Sequence, residues 1–285
     1  AKPDQLAVIC GEQSQTYREL DAQSNRIAHW LRRNGVGAGQ RVGICVGRSV
    51  HLASFYLGVI KSGAAYVPMD AGYPAERISY ILEDSQAPVL MTEACVVQRL
   101  QDAGVALPAE TRVLRLDDLT TALQDCSDQP LPNQPTADDV LYYVYTSGST
   151  GRPKGAGIYH RGERNLLEWY RNLLQLTDAD RVLLISALGF DLTQKNLFIP
   201  FCTGAALVIP PFEDYDPDQL ADVIAREKIS VINCAPSAFY PIAELQQHNG
   251  YPFASLRHVV LGGEPIRLNS LKEWFDAPGV NCVLT

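Results

Sequence analysis

Short apolar runs alternate along the chain with stretches whose apolar positions recur at helical spacing. Leu6 to Cys10 is an apolar strand, G-E-Q-S a polar turn and Q-T-Y-R-E-L a return strand, so a hairpin is expected first. From Asp21 to Arg33, the positions Ile27, Ala28, Trp30 and Leu31 mark an amphipathic helix, ended by Asn34-Gly35. Arg41 to Val46 reads as a buried strand and Val50 to Ser62 as a second helix, with Gly63 its left-handed stop. A strand in A-A-Y-V-P-M-D, a helix near Pro74 to Glu83 and a strand from Ala87 to Thr92 follow. From Asp117 to Asp139 the pattern turns polar, with Pro130, Pro132 and Pro135 close together, which reads as a surface crossover.

Beyond the crossover, Val140 to Tyr145 is a β-branched and aromatic strand, and Arg164 to Leu174 is helical. Strands are expected at Arg181 to Ala187, Ala205 to Pro211, Ile229 to Pro236, Leu256 to Glu264 and in the final V-N-C-V-L-T, with a helix from Asp216 to Glu227. The alternation predicts an α/β fold, parallel sheet covered by helices on its faces. No internal repeat or low-complexity block interrupts it.

Composition narrows the function classes. The chain has 285 residues, 46% hydrophobic and 20% charged, with a net charge of −8. That charge argues against nucleic acid or an anionic membrane as partner, so an anionic ligand needs a local site. No apolar stretch approaches the roughly 18 residues of a membrane span. The N-terminal A-K-P-D-Q-L lacks signal-peptide architecture, and the seven cysteines are scattered without a C-x-x-C pair. Reduced thiols and a cytoplasmic location are the expectation. The five histidines show no metal spacing; His29 and His51 fall in helical patterns, and no protein metal site is expected.

The chemistry concentrates between Tyr145 and Gly155, in Y-T-S-G-S-T-G-R-P-K-G. A strand feeds a loop whose glycines allow close backbone approach, whose hydroxyls donate hydrogen bonds and whose lysine offsets negative charge. These are the parts of a polyphosphate holder. The pattern is not a P-loop, because Lys154 follows Arg152-Pro153 where that motif sets lysine directly after glycine.

In its order, T-S-G-S-T-G-x-P-K-G resembles the phosphate loop of the adenylate-forming superfamily. T-Y-R-E-L, K-S-G-A-A-Y-V-P-M-D, G-F-D-L-T and L-G-G-E are similar, in the right order, to motifs of the amino-acid adenylation domains of nonribosomal peptide synthetases. The resemblance covers essentially the whole chain. It implies two sheet-and-helix subdomains, cut here as 1–136 and 137–285, that stop before the β-barrel is complete and before the C-terminal lid. The family continues into N-x-Y-G-P-T-E, with the adenine-stacking aromatic and a magnesium-binding acid. The expectation is therefore a partial core, inactive alone.

Such domains activate an amino acid with ATP and Mg2+, then pass the acyl group to the phosphopantetheine thiol of a carrier (thiolation) domain beside a condensation domain. By resemblance, Thr146, Ser147, Gly148, Ser149, Thr150 and Gly151 wrap the phosphates, and Lys154 steadies the loop or pyrophosphate. Gly262 and Gly263 lie beside adenine, and Glu264 faces nucleotide or magnesium. No catalytic base is assigned. Asp191 is expected to receive the substrate ammonium, a contact worth roughly 4 kcal/mol at ~4 Å and an effective ε of 20 before desolvation. Phe190, Leu192, Lys195, Asn233, Val260 and Gly262 are expected around the side chain. An inward Lys195 with Asn233 suits an acidic or amide substrate; a solvated Lys195 is the other reading. His160 is a candidate neighbour of the substrate carboxylate. The rival functions are an acyl- or aryl-CoA ligase core and a non-catalytic fragment.

Overall fold

The structure, a computed structural model, describes residues 2–132, 135–146, 152–249, 253–277, 280 and 282–285. In chain order its first elements are β1 (Leu6–Cys10), β2 (Gln13–Thr16), α1 (Tyr17–Arg33), β3 (Arg41–Cys45), α2 (Leu52–Ser62), β4 (Ala65–Pro68), α3 (Ala75–Ser85) and β5 (Val89–Thr92). Next come α4 (Ala94–Asp102), β6 (Arg112–Arg115), α5 (Leu119–Leu123), β7 (Val140–Thr146), β8 (Lys154–Tyr159) and α6 (His160–Leu174). The remainder is β9 (Arg181–Leu183), α7 (Asp191–Thr203), β10 (Ala206–Ile209), α8 (Pro217–Arg226), β11 (Val231–Cys234), α9 (Pro236–Asn249), β12 (His258–Leu261), α10 (Asn269–Asp276) and β13 (Val283–Leu284).

Two mixed sheets result. One runs β6-β5-β3-β4-β7-β8 and the other β13-β12-β11-β9-β10-β1-β2. Among the described residues neither closes into a barrel. The β1–β2 and β7–β8 pairs are antiparallel and every other ladder is parallel. The sheets interleave the two halves of the chain: β1 and β2 join the strands of the second half, and β7 and β8 complete the sheet of the first.

Period-2 burial explains the layering. Val8 and Cys10 of β1 face the core between the sheets, while Ile9 faces the core beneath α8, α9 and α10. Leu207 and Ile209 divide from Ala206 and Val208 in the same way. Helices α3 and α4 cover the outer face of the other sheet through Ile78, Leu82, Val96 and Leu100. In the middle layer α1 and α2 pack closely because Gly58 has no side chain; a Cβ there would lie 2.4 Å from Ile27 Cγ2. Thr16 and Glu19 close a capping box that starts α1.

Local departures from the sequence reading have local causes. The expected strand 181–187 ends at Leu183, because the carbonyls of Leu184, Ile185 and Ser186 accept from the Arg48 guanidinium at 2.5, 2.6 and 3.2 Å. The polar crossover contains α5, anchored by buried Leu119 and Leu123. Residues 154–159 form a strand that apolar alternation does not announce. Its glycines sit opposite aromatic rings, Gly155 against Tyr145 and Gly157 against Tyr143, where a Cβ would come within 3.0 Å of either ring.

Candidate active site

The β7–β8 hairpin carries the two ends of the glycine- and hydroxyl-rich loop. Thr146 and Lys154 are ladder partners and both are exposed, so the two chain segments leave the sheet side by side. Ser147, Gly148, Ser149, Thr150 and Gly151 lie outside the described residues. Both flanks are tied to α3: Tyr145 donates its hydroxyl to Asp84 Oδ2 at 2.6 Å, and Tyr80 donates to the Pro153 carbonyl at 3.0 Å. After β12, a Cβ on Gly262 or Gly263 would meet nothing within 4 Å, and Gly263 takes φ +86°. That backbone is open to close approach by a flat or anionic group. Glu264 is otherwise engaged, accepting from Ser237 Oγ at 3.0 Å and Ser237 N–H at 3.2 Å at the start of α9.

The second half of the site lies at the carboxyl ends of parallel β9, β11 and β12, the edge where α/β sheets bind ligands. Asp191 opens α7, with Oδ1 accepting from Leu192 N–H at 2.7 Å, and its carboxylate sits on the positive end of the helix. The loop before it is held from several sides. Thr193 Oγ1 donates to the Ala187 carbonyl at 2.6 Å, and Gln194 Nε2 to the carbonyls of Leu188 and Phe190 at 2.9 and 3.0 Å. Tyr66 of the other sheet donates to Gln194 Oε1 at 3.0 Å. Gly189 lets Tyr73 lie against the loop, since a Cβ there would be 2.1 Å from the phenol oxygen. Asp191 is thus exposed on a braced support, with Phe190 59% exposed beside it.

Lys195, one turn along α7, points inward. It is half-buried, and Nζ lies 5.1 Å from the centroid of the buried Tyr170 ring. Burial pushes its ammonium below the ordinary lysine value, opposed by the Asp191 and Glu163 carboxylates. Asn233 and Val260 are ladder partners on β11 and β12, and Gly262 N–H donates to the Cys234 carbonyl at 3.2 Å. Asn233 is fully buried, gives Nδ2 to the Tyr170 hydroxyl at 2.9 Å, and keeps Oδ1 without a partner. Leu192 is half-buried between Asp191 and the core. His160 instead lines a cavity of about 440 Å3 with Leu141, Glu163, Phe198 and Cys202, its ring held below the usual histidine value by burial.

Sequence reasoning passed over Glu163 and Tyr170. Glu163 is buried, accepts from Tyr142 at 3.3 Å through Oε2, and has no partner for Oε1. Burial pushes its carboxyl above the ordinary range, opposed by the Tyr142 hydrogen bond and then Lys195. The signal was the stripe Glu163, Leu167, Tyr170, Leu174 at helical spacing, an apolar face that carries one acid. Among the described residues no group of three or more His, Cys, Asp or Glu could hold a metal ion. Glu264, the acid expected near nucleotide or magnesium, is held by Ser237.

Residues 1–284 match the family described as AMP-binding enzyme. The chain is 39% identical over 283 residues to tyrocidine synthase 3 of Brevibacillus parabrevis, covering 98% of this chain and 4% of that one. It is 35% identical over 272 residues to gramicidin S synthase 2 of Brevibacillus brevis, covering 95% and 6%. The chain therefore spans a small part of the curated relatives it matches. Among solved structures, the nonribosomal peptide synthetase FmoA3 superposes with a TM-score of 0.89 at 33% identity, over 99% of this chain and 29% of that one. FmoA3 has also been solved with AMPPNP bound, with a TM-score of 0.88 over 100% and 30% of the two chains.

Proposed function

This chain belongs to the AMP-binding enzyme family, and we propose that it binds ATP and an α-amino acid and contributes to forming the aminoacyl-adenylate in nonribosomal peptide synthesis. The acyl group then passes to the phosphopantetheine thiol of a carrier domain, with a condensation domain downstream in the reaction sequence. In the activating step a substrate carboxylate oxygen bonds to the α-phosphorus of ATP. The bond from that phosphorus to the bridging oxygen breaks, and its electron pair leaves on pyrophosphate.

Asp191 carries the reading. An exposed carboxylate on a helix N-terminus, at the carboxyl edge of the sheet and braced by its own loop and by Tyr66 of the other sheet, is suited to meet an ammonium group. Phe190, Leu192, Val260 and Gly262 then bound the side-chain pocket. Thr146, Lys154 and the intervening loop take the phosphates, with Gly262-Gly263 against the base. Positioning is the main work assigned to these groups, since holding two anions in line removes a large share of such a barrier.

The inward Lys195, with Asn233 as a second polar group, favours an acidic or amide side chain over an aliphatic or cationic one. The test is amino-acid-dependent exchange of labelled pyrophosphate into ATP by the intact protein. Glutamate, aspartate or their amides are expected to lead. Equal rates for leucine and glutamate would end the substrate assignment, and exchange driven by benzoate or hexanoate would move the reading to an acyl or aryl acid activator.

A further inference from the structure

Tyr170 stands behind both polar side chains of the proposed pocket. It projects from the inner face of α6 and is fully buried among Leu174, Val182, Ile199 and Val231. Its hydroxyl oxygen accepts from Asn233, and its ring lies under the Lys195 ammonium. The two candidate selectivity residues come from different elements, α7 and β11, and they share this one support from a third.

The nature of each contact matters. A cation over a ring is attracted by the π quadrupole, yet the ring accepts no conventional hydrogen bond from it. The ammonium is therefore aimed while its N–H donors remain free for a ligand. Among the described residues no carboxylate oxygen lies within 4.0 Å of Lys195 Nζ. Glu163, two turns earlier on the same face of α6, is engaged by Tyr142 instead. Asn233 is in a similar position, one amide atom fixed by Tyr170 and the other without a partner. Turning the amide over would exchange the two atoms but still leave one spare.

We propose that Tyr170 is a positioning residue for substrate selection: it fixes the aim of Lys195 and Asn233 together and so sets which amino-acid side chain the pocket accepts. The inference rests on the amino-acid-activating reading above and extends it to a residue that would not touch substrate. A purely structural aromatic at this place would affect folding, and its loss would weaken all substrates alike.

The test compares KM and kcat in pyrophosphate exchange for glutamate, glutamine and leucine. The intact protein is assayed as wild type, Tyr170→Phe, Tyr170→Leu, Lys195→Met and the Tyr170→Leu/Lys195→Met double variant. Tyr170→Phe keeps the ring and frees Asn233, and is expected to raise KM for the preferred polar substrate about 3- to 10-fold, with kcat within about twofold. Tyr170→Leu removes both contacts and is expected to raise it about 10- to 30-fold while leaving leucine unchanged. In the Lys195→Met background the Tyr170→Leu effect is expected to shrink to the Asn233 share, because the contact it breaks is already gone. Should Tyr170→Leu fail to fold, Tyr170→Phe decides the matter with a melting temperature near wild type. Parallel rises for leucine and glutamate, or full additivity with Lys195→Met, would overturn the proposal. A wild type that exchanges leucine as fast as glutamate would remove its premise before any variant is made.

Discussion

The proposed nucleotide half and the proposed amino-acid half of the site are made of different material. Around the phosphates, the described chain offers exposed ends, Thr146 and Lys154, and open backbone at Gly262-Gly263, with the flanks tied down by Tyr145 and Tyr80. Around the amino acid it offers, behind the exposed Phe190 and Asp191, buried or half-buried side chains from α6, α7, β11 and β12, several with polar atoms left unmatched. In the proposed nucleotide half the described residues are chain ends and open backbone, suited to features that every ATP shares. The second half rests on side chains in a poorly solvated setting, where single substitutions change which ligand fits. Removing one side chain is thus expected to weigh far more in the second half than in the first.

The largest effect is expected at Asp191. Asp191→Asn keeps an oxygen for Leu192 N–H and so keeps the start of α7, but removes the charge offered to the ammonium. Loss of a matched charge pair of this kind costs about 2 kcal/mol or more, so kcat/KM for the best amino acid is expected to fall at least about 30-fold. Thermal unfolding should move little, since the helix-end contribution is only about 0.3–1 kcal/mol. A variant within threefold of wild type by pyrophosphate exchange would show that the ammonium is held elsewhere.

Lys154→Ala probes the other half and is expected to do less. Its side chain is exposed at the end of an edge strand. Exposed charge contacts contribute about 0–1 kcal/mol, so KM for ATP is expected to rise by no more than about fivefold. The difference should shrink further in high salt. A hundredfold loss that persists in salt would break the contrast between the halves by making Lys154 a desolvated partner of the phosphates.

The same contrast explains what could be read from the sequence. The phosphate loop is contiguous, and its glycines, hydroxyls and lysine state their chemistry in order. Strand and helix rhythm also gave most of the two sheets, because Val8, Ile9 and Cys10 or Leu207, Val208 and Ile209 alternate between cores as their pleat requires. Sheet membership was not legible: β1 pairs with β10, far along the chain, and carries β2 into the same sheet, and β8 is a glycine-rich edge held by the rings opposite it. Asp191, Lys195, Asn233 and Val260 were named only through resemblance, since residues this far apart carry no joint local signal. Tyr170 and Glu163 were missed because a buried face at helical spacing reads as core. The structure adds that one of them carries a carboxyl that burial pushes up and the other lies under a cation.

Glu163→Gln is the mildest probe and tests whether the inner half holds an uncompensated charge. Burial sets the folded carboxyl above its value of 4.5 in the open chain, against smaller opposing effects of Tyr142 and Lys195. Below pH 4.5 both states are protonated and burial exacts no penalty. As pH rises past 4.5 the unfolded chain ionises first, so the folded protein loses stability until its own carboxyl has also ionised. Glutamine keeps the shape and an acceptor for Tyr142 but cannot ionise. The variant is therefore expected to match wild type near pH 4 and to melt higher at pH 7 to 8, the gap opening as pH rises. Its effect on pyrophosphate exchange should stay within a few fold, because Tyr170, not Glu163, touches Lys195. A gap of the opposite sign at neutral pH would mean that Lys195 stabilises the carboxylate more than burial penalises it. The amino-acid half would then contain a closed ion pair in place of a lysine left free for the substrate.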